Sequence, residues 1–133
     1  LLERVHFAGS VSDPRPFYAG ADVLVHPTRY DPCSLSVLEA LACGTPVITT
    51  TENGAGELLT SGGEGFVVAP GDAAALATAL EAVSKDWERF HSRALSRARE
   101  LSFTRHLDAF ERALEEALAQ RRAREERGAR NPG

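Results

Sequence analysis

An α/β fold, with a parallel sheet, flanking helices and a helical C-terminal tail, is what the sequence predicts. Three observations predict it. The stretch Ala21–Thr50 (ADVLVHPTRYDPCSLSVLEALACGTPVITT) reads as strand, loop, helix, tight turn and strand, with links short enough to imply a parallel pair and a right-handed crossover. A second β-rich run, Gly65–Val68, is followed by a capped helical pattern. Beyond Lys85 the chain turns rich in Arg, Glu and Ala and reads as helix throughout.

In order, Arg4–Ala8 (RVHFA) is expected as a strand that Gly9-Ser10 ends, with Val11–Pro16 as a loop. Pro14–Ala19 is a short helix anchored by Phe17 and Tyr18 and closed by Gly20. Ala21–His26 is the next strand, and it places His26 at the carboxyl edge where ligands of α/β sheets collect. Either a structural role for His26 or an approach to a bound phosphate fits that position. Pro27–Pro32 is a loop carrying Arg29, Tyr30 and Asp31. Arg29 reads as a partner for an acid or as a solvated cation.

Ser34–Cys43 is the central helix. Gly44 stands where a helix-ending residue needs a left-handed backbone, and Pro46 forbids continuation. Leu35, Val37, Leu38, Leu41 and Ala42 spread apolar groups around most of the circumference, so the helix is expected to be buried on all sides. Ser36, Glu39 and Cys43 share one stripe of it. A buried carboxylate costs several kcal/mol unless paired. Glu39 therefore reaches a rim, pairs with an Arg or serves a ligand.

The ligand reading is geometric. Free N–H groups at the helix start suit an anion such as phosphate. Glu39 lies about five residues on, on the order of 8 Å at 1.5 Å per residue, near the span from a nucleotide's phosphates to its ribose. Asp31 precedes the helix, on the other side of the same phosphate position. Carboxylates accept from paired hydroxyls. One acid for ribose, helix amides for pyrophosphate and one acid for a sugar describe a nucleotide-sugar site.

After the helix, Val47–Thr49 is a strand and Thr49–Gly56 a loop that either closes over the sugar, with Glu52 or Asn53 near the site, or is an ordinary turn. Glu57–Thr60 reads as one helical turn, Ser61–Glu64 as a glycine-rich turn. Gly62-Gly63 precedes a strand, not a helix, and so is no phosphate loop. Asp72 is the expected N-cap of a helix over Ala73–Ser84, where Leu76, Leu80 and Val83 recur at helical spacing. Helices follow over Asp86–Leu101 and Thr104–Arg127, their apolar face including Trp87, Phe90, Phe103, Leu107, Phe110 and Leu114. Residues 121–133, with Arg121, Arg122, Arg124, Arg127 and Arg130, read as a frayed, solvated tail or as a patch for peripheral membrane contact.

The 133 residues carry a net charge of −4, which points away from nucleic acid as a partner. No apolar run approaches the roughly 18 residues of a membrane span. Cys33 and Cys43 are expected to be reduced, buried thiols of a cytosolic protein, separated by roughly 15 Å of helix and so too far apart to bridge. No metal-ligand spacing is present. The absence of Met and the Leu1-Leu2 start predict an excised piece of a longer protein.

The central stretch resembles the signature of the retaining glycosyltransferases of the large group-one family, which have the two-Rossmann-domain GT-B fold. The family pattern is two acids separated by seven residues, then a helix ending in Ala-x-Gly-x-Pro-Val. Here it stands as Asp31, seven residues, Glu39, then Ala40-Leu41-Ala42-Cys43-Gly44-Thr45-Pro46-Val47. The first acid is usually Glu, and Cys33-Ser34 replaces a usual Phe-Gly. Tyr18-Ala19-Gly20-Ala21-Asp22 is similar, with one change, to a short helix of the family; Tyr18 itself reads as a packing residue rather than a ligand contact. The likeness spans most of residues 1–85.

The resemblance implies a Rossmann-like donor-binding domain over 1–85, C-terminal helices over 86–120 and the tail beyond. It implies transfer of a hexosyl group from a UDP-, GDP- or ADP-sugar to an acceptor sugar, lipid or small molecule, with retention and without a metal or other cofactor. Asp31 would contact the donor sugar as the catalytic-site acid. Cys33, Ser34, Leu35 and Ser36 would hold the pyrophosphate through backbone amides, and Glu39 the ribose. It places the acceptor site on a missing N-terminal domain, so this piece is expected not to turn over alone. A four-stranded sheet with an open edge near Val5 and a cytoplasmic location, free or at the cytoplasmic face of a membrane, complete the expectation. Two other classes compete: a nucleotide-sugar epimerase of similar build, and a non-catalytic nucleotide-binding module.

Overall fold

The structure is a computed structural model that describes residues 2–129. The chain divides into two compact units, Leu1–Arg99 and Glu100–Gly133. The first holds α1 (Arg15–Ala19), β1 (Leu24–His26), α2 (Leu35–Ala42), β2 (Val47–Thr50), β3 (Gly65–Val68), α3 (Ala73–Lys85) and α4 (Trp87–Glu100, whose last residue crosses the division). The second holds α5 (Phe103–Ala129).

The sheet is parallel, in the order β1-β2-β3, with Leu24 opposite Val47 and Val47 opposite Gly65. All four residues of β2 are buried, as a central strand covered on both faces requires. Alternation sends Ile48 to one face, where it joins Ala79 and Val83 of α3 and Phe90 of α4 in the core. Phe66 meets Phe90 with ring centroids 5.5 Å apart. On the other face α2 buries Val37, Ala40 and Leu41. α1 packs against α2.

The caps follow the sequence. Gly44 has φ +79°, and a Cβ there would run into the His91 imidazole, whose Nδ1 lies 2.7 Å from the Gly44 carbonyl oxygen. His91 also stacks on Trp87, which donates Nε1–H to the Asp22 carbonyl at 2.9 Å. Asp72 caps α3 by accepting the Ala75 amide at 2.9 Å.

Several expectations are corrected. Arg4–Ala8 is not a strand: Leu2–Arg4 forms a 3-10 turn and Val5 and Phe7 stay exposed, Phe7 at 91%. A strand exists only where a neighbour takes its ladder bonds, and no described strand lies beyond β1. Among the described residues the sheet therefore has three strands, not four, and on that side its edge is β1, not Val5. β1 begins at Leu24 rather than Ala21, β2 extends to Thr50, and the helical turn falls at Gly54–Leu58.

α2 is not buried on all sides. Leu35 is 69% exposed, and Glu39 and Ala42 also face out, because only one side of the helix meets the sheet. Nor are the cysteines buried thiols: both are free, but Cys33 at the helix entrance is exposed and Cys43 half-buried.

α4 belongs with the sheet unit rather than with a separate set of C-terminal helices. Phe90 and Ala94 are buried, and Arg97 donates to the Leu58 carbonyl at 2.7 Å while lying 3.8 Å from the buried Glu64 carboxylate. α5, taken by itself, carries exposed Phe103, Leu107, Phe110, Leu114 and Leu118 at helical spacing. The tail expected over 121–133 is helical as far as Ala129, and residues 130–133 lie outside the described residues. Among the described residues no helix is long and apolar enough to cross a membrane.

Candidate functional site

The site begins where β1 ends. The loop from Pro27 to Ser34 is pinned to β2 by two threonines of alternate facing. Thr49 Oγ1 donates to the His26 carbonyl at 3.0 Å, and Thr50 Oγ1 to the Thr28 carbonyl at 2.7 Å. Further on, the Asp31 amide donates to the Glu52 carbonyl at 3.0 Å, and the Gly54 amide to the Asp31 carbonyl at 2.9 Å. These two bonds make an isolated parallel bridge between Asp31 and Asn53. Gly54 is required there, because a Cβ would collide with the Pro32 carbonyl.

Asn53 is 1% exposed and satisfied on both ends. Its Oδ1 accepts the Ser34 amide at 3.3 Å and the Ala55 amide at 3.0 Å; its Nδ2 donates to Thr49 Oγ1 at 2.9 Å. One side chain thereby joins the end of β2, the start of α2 and the following 3-10 turn.

Asp31 is held at both oxygens. Oδ1 accepts the Cys33 amide at 3.1 Å, and Oδ2 lies 3.1 Å from His26 Nε2. The two side chains are about equally half-buried, at 27% and 30%. Arg29 is exposed and makes an ion pair with neither Asp31 nor Glu39.

Glu39, on the outer side of α2, accepts the Tyr18 hydroxyl at 3.0 Å on Oε2. The Tyr18 phenol is also drawn toward Ser36, which favours its ionised form; desolvation and the hydrogen bond and charge of Glu39 outweigh this and raise its pKa above the usual 10.0. Ser34, the N-cap position of α2, gives no side-chain bond to the helix, so the first-turn amides of Leu35 and Ser36 are left uncapped.

The predicted residues thus fall into two groups. Asp31, Cys33 and Ser34 meet around His26 and Asn53, while Ser36 and Glu39 meet at Tyr18. The Leu35 side chain faces solvent. Two of the four amides expected to be free, those of Cys33 and Ser34, are already engaged by side chains within the loop. Beside these groups, a groove of about 260 Å³ opens at the carboxyl ends of the strands, lined by Pro27, Arg29, Thr50, Val68, Asp72 and Leu76 among others, and neither acid lines it.

Two residues carry more than sequence reasoning assigned them. Tyr18, read as packing, is the partner of Glu39, and nothing local signals a contact across 21 positions. Asn53, read as a loop residue near the sugar, is a buried tie; its only sequence signal is the Asn-Gly turn dipeptide.

Against known proteins, the model of a family described as glycosyl transferases group 1 matches residues 1–86. The lipopolysaccharide core biosynthesis glycosyltransferase LpsE of Rhizobium meliloti is 40% identical over 83 residues, covering 62% of this chain and 24% of LpsE. The glycogen synthase of Mycobacterium tuberculosis is 44% identical over 66 residues, covering 50% of this chain and 16% of that enzyme. The chain thus spans a quarter or less of these relatives. Among solved structures, sucrose-phosphate synthase from Thermosynechococcus elongatus superimposes with TM-score 0.70 at 30% identity, over 86% of this chain and 31% of that one. Anabaena HepE in complex with UDP gives 0.71 at 26% identity, over 90% and 33%. The sheet order, the Gly44 end of α2 and the two acids, one before that helix and one within it, therefore have a common explanation: the chain belongs to the group 1 glycosyl transferases, with the α/β architecture of the GT-B fold.

Proposed function

We propose that this chain supplies the donor-binding part of a glycosyltransferase that moves a hexosyl group from a nucleotide-diphosphate sugar to an acceptor, with retention. The observation that carries the reading is the uncapped start of α2, at the carboxyl edge of the sheet, with Asp31 before it and Glu39 on its exposed side. HepE, which superimposes on the chain, has been solved with UDP and with UDP-glucose. That supports a nucleotide-sugar donor here.

In this reading the amides of Leu35 and Ser36 receive the pyrophosphate. As the bond to the anomeric carbon lengthens, negative charge grows on the leaving phosphate. Fixed N–H dipoles stabilise that charge without reorganising. Cys33 and Ser34 contribute by shaping the helix entrance, since their own amides are engaged. Glu39 accepts from the ribose hydroxyls, with one of its oxygens held by the Tyr18 hydroxyl. Asp31 orients the sugar hydroxyls. No step calls on a metal or other cofactor. The acceptor, a sugar, lipid or small molecule, is met by parts of the protein outside these residues, so the 133-residue chain alone does not turn over.

The test is a thermal-shift screen of the complete protein against UDP-, GDP- and ADP-sugars, in which one donor class raises Tm. With that donor, Glu39→Ala weakens binding about tenfold, the worth of a charged hydrogen bond. Asp31→Ala cuts turnover more than nucleotide affinity. A donor Kd untouched by Glu39→Ala removes the ribose role, and equal losses for Asp31→Ala remove the division of labour.

A further inference from the structure

His26 and Asp31 are five positions apart, and the chain between them is tied down at several points. The His26 carbonyl takes the Thr28 amide at 2.9 Å and Thr49 Oγ1 at 3.0 Å. Thr50 holds the Thr28 carbonyl, and the Asp31 backbone is bridged to the segment after β2. Both side chains are therefore delivered from fixed backbone. Their contact, Nε2 to Oδ2 at 3.1 Å, closes the loop.

The two oxygens of Asp31 are held differently. Oδ1 takes the Cys33 amide, a donor that any residue at that position except proline would supply. Among the described residues, Oδ2 has the imidazole alone. A carboxylate can only accept, so Nε2 must carry the proton whenever Asp31 is ionised. With Oδ1 anchored and Oδ2 unheld, the carboxylate plane turns about its last torsion, a broad well for Asp. Recognition of neighbouring hydroxyls needs that plane fixed.

We infer that His26 is a positioning residue for Asp31: its Nε2–H sets the carboxylate plane so that the lone pairs left over face the hydroxyls of the transferred sugar. The inference rests on the donor-site reading of Asp31 given above. It assigns His26 no contact with the phosphates and no proton transfer. It also gives the shorter acid at this position a reason to work, because an Asp held at both oxygens is fixed in place by its neighbours.

The experiment uses the complete protein with His26→Leu, His26→Gln and Asp31→Asn. Gln brings an amide N–H close to where imidazole Nε2 stands; Leu fills the space without a donor. The first readout is the tautomer of His26 by ¹⁵N NMR above the imidazole pKa. An Nε2–H form in the wild type, lost in Asp31→Asn, supports the pairing; an Nδ1–H form in the wild type overturns it. The second readout is release of nucleoside diphosphate, first across UDP-glucose, GDP-mannose and ADP-glucose, then with whichever turns over.

His26→Leu is expected to lower kcat about tenfold or more, the cost of a misplaced group, while affinity for the free nucleoside diphosphate stays within about twofold. His26→Gln is expected to recover most of the loss. Wild-type kcat in His26→Leu, or a His26→Gln no better than His26→Leu when both melt like the wild type, overturns the inference. If His26→Leu does not fold, the tautomer and His26→Gln carry the test. Full turnover in Asp31→Asn removes the role of Asp31 itself and this inference with it. Loss in Asp31→Asn with none in His26→Leu removes only the positioning role.

Discussion

Asn53 and Tyr18 show how single residues hold this site. Asn53 makes three hydrogen bonds in a place water does not reach. Replacing it with Ala strands two amides, each at about 1–3 kcal/mol when unsatisfied, while the Thr49 hydroxyl keeps its bond to the His26 carbonyl. Partial relaxation will recover some of that. We expect Asn53→Ala to lower stability by about 3 kcal/mol in urea unfolding, with the m-value unchanged. Tyr18 acts through its proton. Its pKa is raised in the folded state, so folding is favoured by the neutral phenol below the unfolded value of 10.0, and that contribution fades as pH rises through the raised value. Wild type and Tyr18→Phe should therefore differ in stability below pH 10.0 and converge above it, which paired urea titrations at several pH values will show. Neither residue's role was legible in the sequence. Asp31 and Glu39 were visible as a spaced pair of acids, but their partners His26 and Tyr18 are chosen by the fold.

The elements were legible where the signal is local. Gly44 with Pro46 marks the end of α2, Asp72 the start of α3, and GFVV a strand, because each depends on a few neighbouring residues. Arg4–Ala8 shows the opposite case. Its pattern is strand-like, but a ladder needs a partner, and the run leaves Phe7 in solvent. The outer side of α2 failed for the same reason: composition counts apolar residues but not what covers them, and Leu35 is left exposed. Gly44 offers a test at this scale. A side chain there meets both a left-handed φ of +79° and the His91 ring. The backbone cost alone is about 1–2 kcal/mol. Gly44→Ala should lose more than that by thermal unfolding, and Gly44→Ala in a His91→Ala background should lose only about the backbone part.

At the scale of the molecule, the sheet unit has a buried core, and α5, taken by itself, buries none of its described side chains. Phe103, Leu107, Phe110, Leu114 and Leu118 form an apolar stripe that is 42–74% exposed along one helix. Contiguous exposed apolar surface favours association. For the 133-residue chain, Phe110→Glu should reduce concentration-dependent light scattering while leaving the melting of the sheet unit within about 1 kcal/mol. The family was legible in the sequence because its signature is contiguous, running from Asp31 to Val47. The donor and acceptor were not, because the groups that select them are spread across segments that only folding, and the rest of the protein, bring together.

The Asn53-Gly54 dipeptide carries one more consequence, a chemical one. Asn-Gly is prone to lose ammonia when the glycine nitrogen attacks the neighbouring side-chain carbonyl to form a cyclic imide. Here that nitrogen gives its hydrogen to the Asp31 carbonyl, and the amide it would attack is gripped on both ends. The native chain thereby shields its own weakest bond from ageing. Each excursion to the unfolded state exposes it, and a single deamidation there would put a carboxylate in place of the nitrogen that Thr49 needs, marking that molecule against refolding.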